Sequence, residues 1–253
     1  MRKADTRTEY GAPLAIQTAQ GGAIYVAPER GPQGASIFFF TRLGGASEAP
    51  YDSLNVSKKV GDDPEAVDEN LCTIRQGMAG RPAAWVRQVA GDAVVRVSEP
   101  GLAGEADALV TAEPDLCLSV AVADCVPVAL LGEREVGMVH SGWRGTLAGV
   151  SGKAAQTLGG SRVLAYIGPS IRRCCYEVSE ELAARFAAEF GHEVVSGRNL
   201  SLQDAIRLDL ERVGVEVKDL GLCSGCRPDL FYSHRMQGPL TGRNLVSVVR
   251  EAR

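Results

Sequence analysis

Histidine is scarce: only His140, His192 and His234 occur in 253 residues. One blue-copper centre alone takes two histidines and a cysteine. The chain therefore cannot supply that centre and further imidazole-bound coppers, and a multicopper oxidase of the usual kind is excluded. Long apolar runs are absent as well. The basic opening MRKADTRTEYGAP is followed by no apolar core, so neither a secretory signal nor a membrane span is expected, and the expected location is the cytoplasm. Positive charge is not in excess, since the net charge is −4. That argues against a broad nucleic-acid surface but leaves room for a local basic pocket.

A disulfide framework is not expected either. The cysteines number seven, an odd count in a chain without a secretory signal. Cys223 and Cys226 form a CxxC, but there is no second CxxC of the kind a structural zinc site wants. Adjacent Cys174 and Cys175 are read as core packing. Repeats, low-complexity stretches and linkers are missing too, and Gly and Pro are scattered as turn punctuation. One domain over 1–253 is expected.

What is present is a series of β-branched and aromatic runs. They predict strands at 23–27, 36–42, 84–89, 106–111, 116–123, 126–131, 136–140 and 162–167, with weaker ones at 193–196, 216–220 and 245–250. The runs around Val120 and Val128 are apolar on both faces, as strands covered on both sides are. Helices carry clearer start and stop signals. Asp63-Pro64 opens one with Val67, Leu71, Ile74 and Met78 inward, stopping at Gly80. A second follows Ser141–Gly145, with Leu147, Val150, Ala154 and Leu158 inward. Ser179 caps a third through Leu182, Phe186 and Phe190 to Gly191. Ser201 and Asp204 start a fourth through Ile206, Leu210 and Val213 to Gly214. Several strands follow one another directly. The expected architecture is therefore an α/β (α+β) single-domain mixed-sheet sandwich with flanking helices.

Chemistry concentrates in ADCVPVALLGEREVGMVHSGWRG, residues 123–145. Cys125 and His140 stand at the ends of neighbouring strands, beside turns, where sites gather in α/β proteins. Two chemistries suit them. They can be zinc ligands with the metal activating water, or His140 can deprotonate Cys125 for attack on an acyl carbon. A catalytic zinc usually takes three protein ligands, so a third would be required. Gly142-Trp143-Arg144-Gly145 places an arginine at a helix start, a suitable anion site. Arg42, at a strand end before a glycine loop, is a second candidate, and Arg235 and Arg243 supply further charge. His192 reads as a residue at a helix C-terminus.

The blocks TRLGGASEAPYDSLNV, VGDDPEAVDEN, ADCVPVAL, VHSGWRGTLAGV, YIGPSIRRCCYEV and FYSHRMQGPLTGRN, in this order, cover most of the chain. With them it resembles the laccase-domain proteins, once called multicopper polyphenol oxidoreductases and now described as purine nucleoside phosphorylase-like. Bacterial members include the peptidoglycan editing factor. The resemblance implies a zinc (copper has also been reported) held by two histidines and a cysteine, two of which fall on Cys125 and His140. The third family histidine belongs to a Gln-Val-His-Gly block, which here reads Gln88-Val89-Ala90-Gly91. The implied activities are phosphorolysis of adenosine, inosine and methylthioadenosine, and deamination of adenosine. Arg42, Asn55 and Arg144 are the residues expected to position nucleoside and phosphate. With Ala90 in place, zinc binding and turnover are expected to be weak. Two alternatives stand beside this reading: a Cys125–His140 amidase acting on peptidoglycan precursors, and a non-catalytic nucleoside-binding protein.

Overall fold

The computed structural model describes residues 14–28, 34–160 and 162–252; the basic opening stretch lies outside them. Seven strands form one sheet. In spatial order they are β1 (Leu14–Thr18), β2 (Ile24–Pro28), β3 (Ala35–Phe40), β15 (Asn244–Arg250), β8 (Cys117–Val122), β4 (Ala83–Arg87) and β6 (Gly101–Glu105). Six form the other: β14 (Glu216–Asp219), β11 (Leu164–Ile167), β9 (Val126–Leu131), β10 (Val136–Ser141), β7 (Ala108–Thr111) and β5 (Val94–Arg96). A short hairpin pairs β12 (Val195–Ser196) with β13 (Asn199–Leu200). Both large sheets are mixed. β4 runs parallel to β8 and β6, β7 to β5, and β11 to β14, while the other neighbours are antiparallel.

The period-2 alternation of each strand explains the layering. Ala129 and Leu131 of β9 and Val136 and Met138 of β10 meet Phe39, Leu118, Val120, Val246 and Val248 of the first sheet. Their neighbours Val126, Val128, Leu130 and Val139 turn the other way, onto α3 (Val150–Thr157), α4 (Glu180–Phe190) and α5 (Leu202–Glu211). Phe38, Phe40 and Val249 on the outer face of the first sheet pack with Ile74 of α1 (Pro64–Gly77). The result is a helix–sheet–sheet–helix sandwich, as expected from the sequence. Each side chain fully buried in these layers contributes roughly 1.5–3 kcal/mol. No helix among the described residues is long and apolar enough to cross a membrane.

The expected second helix is in fact two: α2 (Trp143–Leu147) and α3, separated at Gly149. Gly149 sits at φ 71°, a left-handed conformation that ends one helix and resets the axis for the next. Leu71, predicted to face inward, is exposed on α1. The expected strand at 193–196 is mostly a 3-10 turn, His192–Val194, followed by β12. β5 and β6 carried no strand signal because one is three residues long and the other, GLAGE, is glycine-rich.

Gly168 marks a close approach between the layers. A Cβ there would fall against Cε1 and Cδ1 of Phe39 and 2.9 Å from Cγ of Pro127. Gly168→Ala is therefore expected to destabilise the fold by about 1–3 kcal/mol through overpacking. Urea unfolding would show this as a lower midpoint; an unchanged midpoint would mean that Phe39 moves aside freely.

Candidate active site

The alternation that builds the inter-sheet core also aims three polar side chains into its open end. His140 shares a face of β10 with Val136 and Met138. Asp107, just before β7, follows the parity of Leu109, and Cys125, just before β9, follows that of Ala129. The antiparallel register pairs His140 with Pro127 and Ser141 with Val126, so the start of β9 lies beside the end of β10. Cys125 and His140 are thereby brought together. Gly142 leaves the space, since a Cβ there would lie 3.2 Å from the Cys125 sulfur.

Asp107 was not singled out from the sequence, yet it organises the site. It is fully buried. Its Oδ1 lies 2.7 Å from His140 Nδ1 and accepts the Ala90 N–H at 3.0 Å. Its Oδ2 accepts the N–H groups of Gly91 at 2.6 Å and Val89 at 3.3 Å. Its backbone carbonyl accepts the His140 N–H at 2.8 Å. The only signal in the sequence was an acid inside the apolar segment Ala-Asp-Ala-Leu-Val, where a buried charge needs a partner.

Burial alone would strip the proton from His140, but hydrogen bonds to Asp107 and Cys125 and the attraction of both groups outweigh it. They push its pKa to about 9. Burial likewise opposes ionisation of Asp107, yet His140 and the backbone N–H groups of Gly91 and Val89 hold its carboxyl below the usual range. The two form a buried imidazolium–carboxylate pair with Cys125 as the imidazole's other neighbour.

The Gln88–Gly91 loop thus wraps the carboxylate that holds His140, and position 90 belongs to the site although its side chain brings no donor. Ala90 is left-handed, at φ 58°, and so is Asp124, at φ 89°. These two flank the pair; strained backbone collects at functional sites. Asp124 is fixed from three sides. Its carboxylate takes the Ser224 hydroxyl at 2.7 Å and the Arg235 N–H at 2.6 Å, and its carbonyl takes the Ile171 N–H at 3.0 Å.

The donor set was weighed against a three-ligand zinc. Cys125 and His140 offer two ligands of the right kind, and Ala90 offers none. Among the described residues, no set of three or more ligand side chains close enough to share one ion includes either. His192 opens the 3-10 turn and His234 opens α6 (His234–Gln237), both exposed. The residues present do not complete a three-ligand centre here.

The other expected residues divide into two groups. Arg144 is exposed and lies over the Trp143 ring at 4.1 Å. Arg235 lies over Tyr176 at 5.1 Å. Burial pushes the Tyr176 hydroxyl up, and it also feels Cys125, Asp124, Arg235 and Arg144. Arg243 is lowered by burial and feels Cys125 and Asp124. An open groove is lined by Trp143, Tyr176, Glu177, Arg198 and Arg235; it does not include Cys125 or His140, and Tyr176, which feels Cys125, is its link to them. Arg42 and Asn55 are committed elsewhere. The Arg42 guanidinium donates to the carbonyls of Asp52 and Pro228, pairs with the Asp52 carboxylate at 3.1 Å and stacks on Tyr232. Fully buried Asn55 binds Asp62 and Ser57, and its Oδ1 accepts the Arg243 N–H at 2.9 Å. It thereby holds the Arg243 backbone, while the Arg243 guanidinium donates to the carbonyls of Thr241 and Gly242 and feels the Cys125 charge.

The chain is 39% identical over 220 residues to a Deinococcus radiodurans protein named purine nucleoside phosphorylase, covering 81% of this chain and 85% of the relative. It is 36% identical over 217 residues to the Pseudomonas aeruginosa protein named purine nucleoside phosphorylase PA4543, covering 80% and 88%. The crystal structure of YlmD from Geobacillus stearothermophilus superposes with a TM-score of 0.83 at 28% identity, over 97% of this chain and all of that one. The family model described as multi-copper polyphenol oxidoreductase laccase matches residues 36–251, from β3 to the end of β15 and through Cys125, His140 and Asp107; the chain belongs to that family.

Proposed function

We propose that this chain is an enzyme of purine nucleosides, cleaving adenosine, inosine and methylthioadenosine by phosphorolysis at the mouth formed by Cys125, His140 and Asp107. The observation that carries this reading is the buried Asp107–His140 pair with half-buried Cys125 beside it, in a field to which Arg243, and through Tyr176 also Arg144 and Arg235, contribute. Relatives bearing the phosphorylase name support it. A phosphate oxygen bonds to C1′ of the ribose as the C1′–N9 bond breaks, and the electron pair leaves with the base. His140, oriented by Asp107, passes a proton to the departing purine, giving free base and ribose 1-phosphate. Arg144 and Arg243 offset the phosphate charge, while Trp143 and Tyr176 offer aromatic faces to the base. Arg42 and Asn55 hold the surrounding loops, Asn55 directly behind Arg243. Cys125 and His140 remain the two ligands the site offers to zinc or copper. Deamination of adenosine needs an activated water and is expected to be the minor activity of a chain with Ala90.

Purified protein incubated with inosine and phosphate should release hypoxanthine and ribose 1-phosphate in equal amounts, and only with phosphate present. His140→Ala should lower kcat/KM by roughly 10²–10⁴-fold. Saturable inosine binding without any release would leave a nucleoside-binding protein instead.

Asp107 gives specific support to a second reading, because it completes a thiol–imidazole–carboxylate series. In that case the Cys125 sulfur, its proton held on His140, attacks an amide carbon of a peptidoglycan precursor; the amine leaves with that proton, and water then cleaves the thioester to release the acid and restore the thiol. Trapping an acyl group on Cys125 by mass spectrometry, with no phosphorolysis, would select it.

A further inference from the structure

The cysteines that the sequence assigned to core packing and to an incomplete CxxC meet. Cys174 and Cys175 lie on the loop after β11, and Cys223 and Cys226 on the loop after β14. Their four sulfurs all lie within 4.8 Å of one another. Cys226 is 3.4 Å from both Cys174 and Cys175, and Cys174 is 3.5 Å from Cys223. The vicinal pair supplies the second half that the lone CxxC lacked. It escaped the sequence reading because 48 residues, 175 to 223, separate the halves along the chain.

We propose that these four cysteines bind a single zinc ion, a closed tetrathiolate site separate from the Cys125–His140 pair. Zinc–sulfur bonds of about 2.3 Å place tetrahedral sulfurs about 3.8 Å apart; the separations of 3.4–3.5 Å lie a little below that value, and all four sulfurs lie within 4.8 Å of one another. Two sulfurs, Cys174 and Cys226, each lie near two others, which suits a common central ion better than two separate disulfides. The Cys223 sulfur accepts the backbone N–H groups of Arg172 and Cys226, as a thiolate ligand in a tight turn does. Gly225 lets the turn close: a Cβ there would come within 3.0 Å of both Cβ and Sγ of Cys175. Arg172, paired with Asp219 at 2.8 Å, puts a cation toward Cys223. Cys174 and Cys226 are exposed, leaving an entry path for the ion.

The role is to tie two loops. The backbone already joins them where Ser170 bridges Cys223 and the Ser224 N–H meets the Ser170 carbonyl at 3.0 Å. Ile171 and Ser224, one from each loop, are two of the three residues that grip Asp124 beside Cys125. An ion across the loops would fix that grip.

The test is metal content after gel filtration in chelator. The protein should retain about one zinc per chain. That zinc should persist in His140→Ala and fall more than about tenfold in Cys174→Ser and in Cys226→Ser, since a lost ligand costs at least as much as a lost support. If the cysteine variants fail to fold, the unaltered protein decides. Cobalt in place of zinc should give sulfur-to-cobalt charge-transfer and strong tetrahedral bands, and the four thiols should resist alkylation until metal is stripped. No retained or added metal with four freely alkylated thiols, or mass-spectrometric proof of disulfides among them, would overturn the proposal. So would zinc that vanishes in His140→Ala but survives both serine variants.

Discussion

Ala90→His should gain a zinc ion beyond any held by the four-cysteine cluster, together with a marked increase in adenosine deamination. Position 90 lies on the loop whose N–H groups hold Asp107, which in turn holds His140, so a side chain there enters the same site. Its backbone is already left-handed at φ 58°. Among non-glycine residues that conformation is several-fold enriched in histidine, asparagine and aspartate, so imidazole is better suited to it than the methyl group now present. A third ligand would complete the count a catalytic zinc takes. Groups that merely support a ligand change metal affinity by roughly 10–100-fold, and restoring a ligand should do at least as much. Zinc counting in parallel on both forms, and in the Cys174→Ser background, separates the new ion from the cluster's. Equal zinc and equal deamination in the unaltered and Ala90→His proteins would show that position 90 is no ligand here.

Much of the fold was legible because its signals are local. Asp63-Pro64, Ser179 and Ser201 cap helices where expected, with their side-chain oxygens on backbone N–H groups. The doubly apolar runs became β8 and β9, buried between layers. Gly149 was read as part of a continuous helix, because the apolar spacing of Leu147, Val150 and Ala154 continues across the break. The site was legible in part for the same reason. Cys125 and His140 end neighbouring strands of one hairpin, so their meeting follows from register. Asp107 reaches His140 from 33 residues away and the cysteines meet across 48 or more. Nothing in a local pattern encodes those approaches. Arg42 looked like an anion ligand because it ends a strand, but Asp52, ten residues on in the same connection, and Pro228 and Tyr232, from the loop after β14, hold it.

Asp107→Asn is expected to damage stability and activity together, and pH separates the causes. His140 has a folded pKa of about 9, above its ordinary 6.5. Its contribution to stability is therefore full below about pH 6.5 and is lost as pH rises through about 9. Asp107 is shifted the other way, below its ordinary 3.8. Its contribution is present above that value and disappears as pH falls through the lower folded one. The pair thus stabilises most between about pH 4 and 6.5. Removing one partner of a buried ion pair costs about 3–5 kcal/mol. In metal-free protein, the stability gap between wild type and Asp107→Asn should be of that size near pH 6 and should narrow as pH passes 9. Activity should fall roughly 10²–10⁴-fold, because the imidazole loses the partner that fixes its orientation and tautomer. Urea midpoints across the pH range measure the first effect and phosphorolysis rates the second. A gap that stayed constant from pH 6 to 10 would mean that Asp107 acts only as an acceptor for the Val89–Gly91 backbone, with His140 neutral beside it.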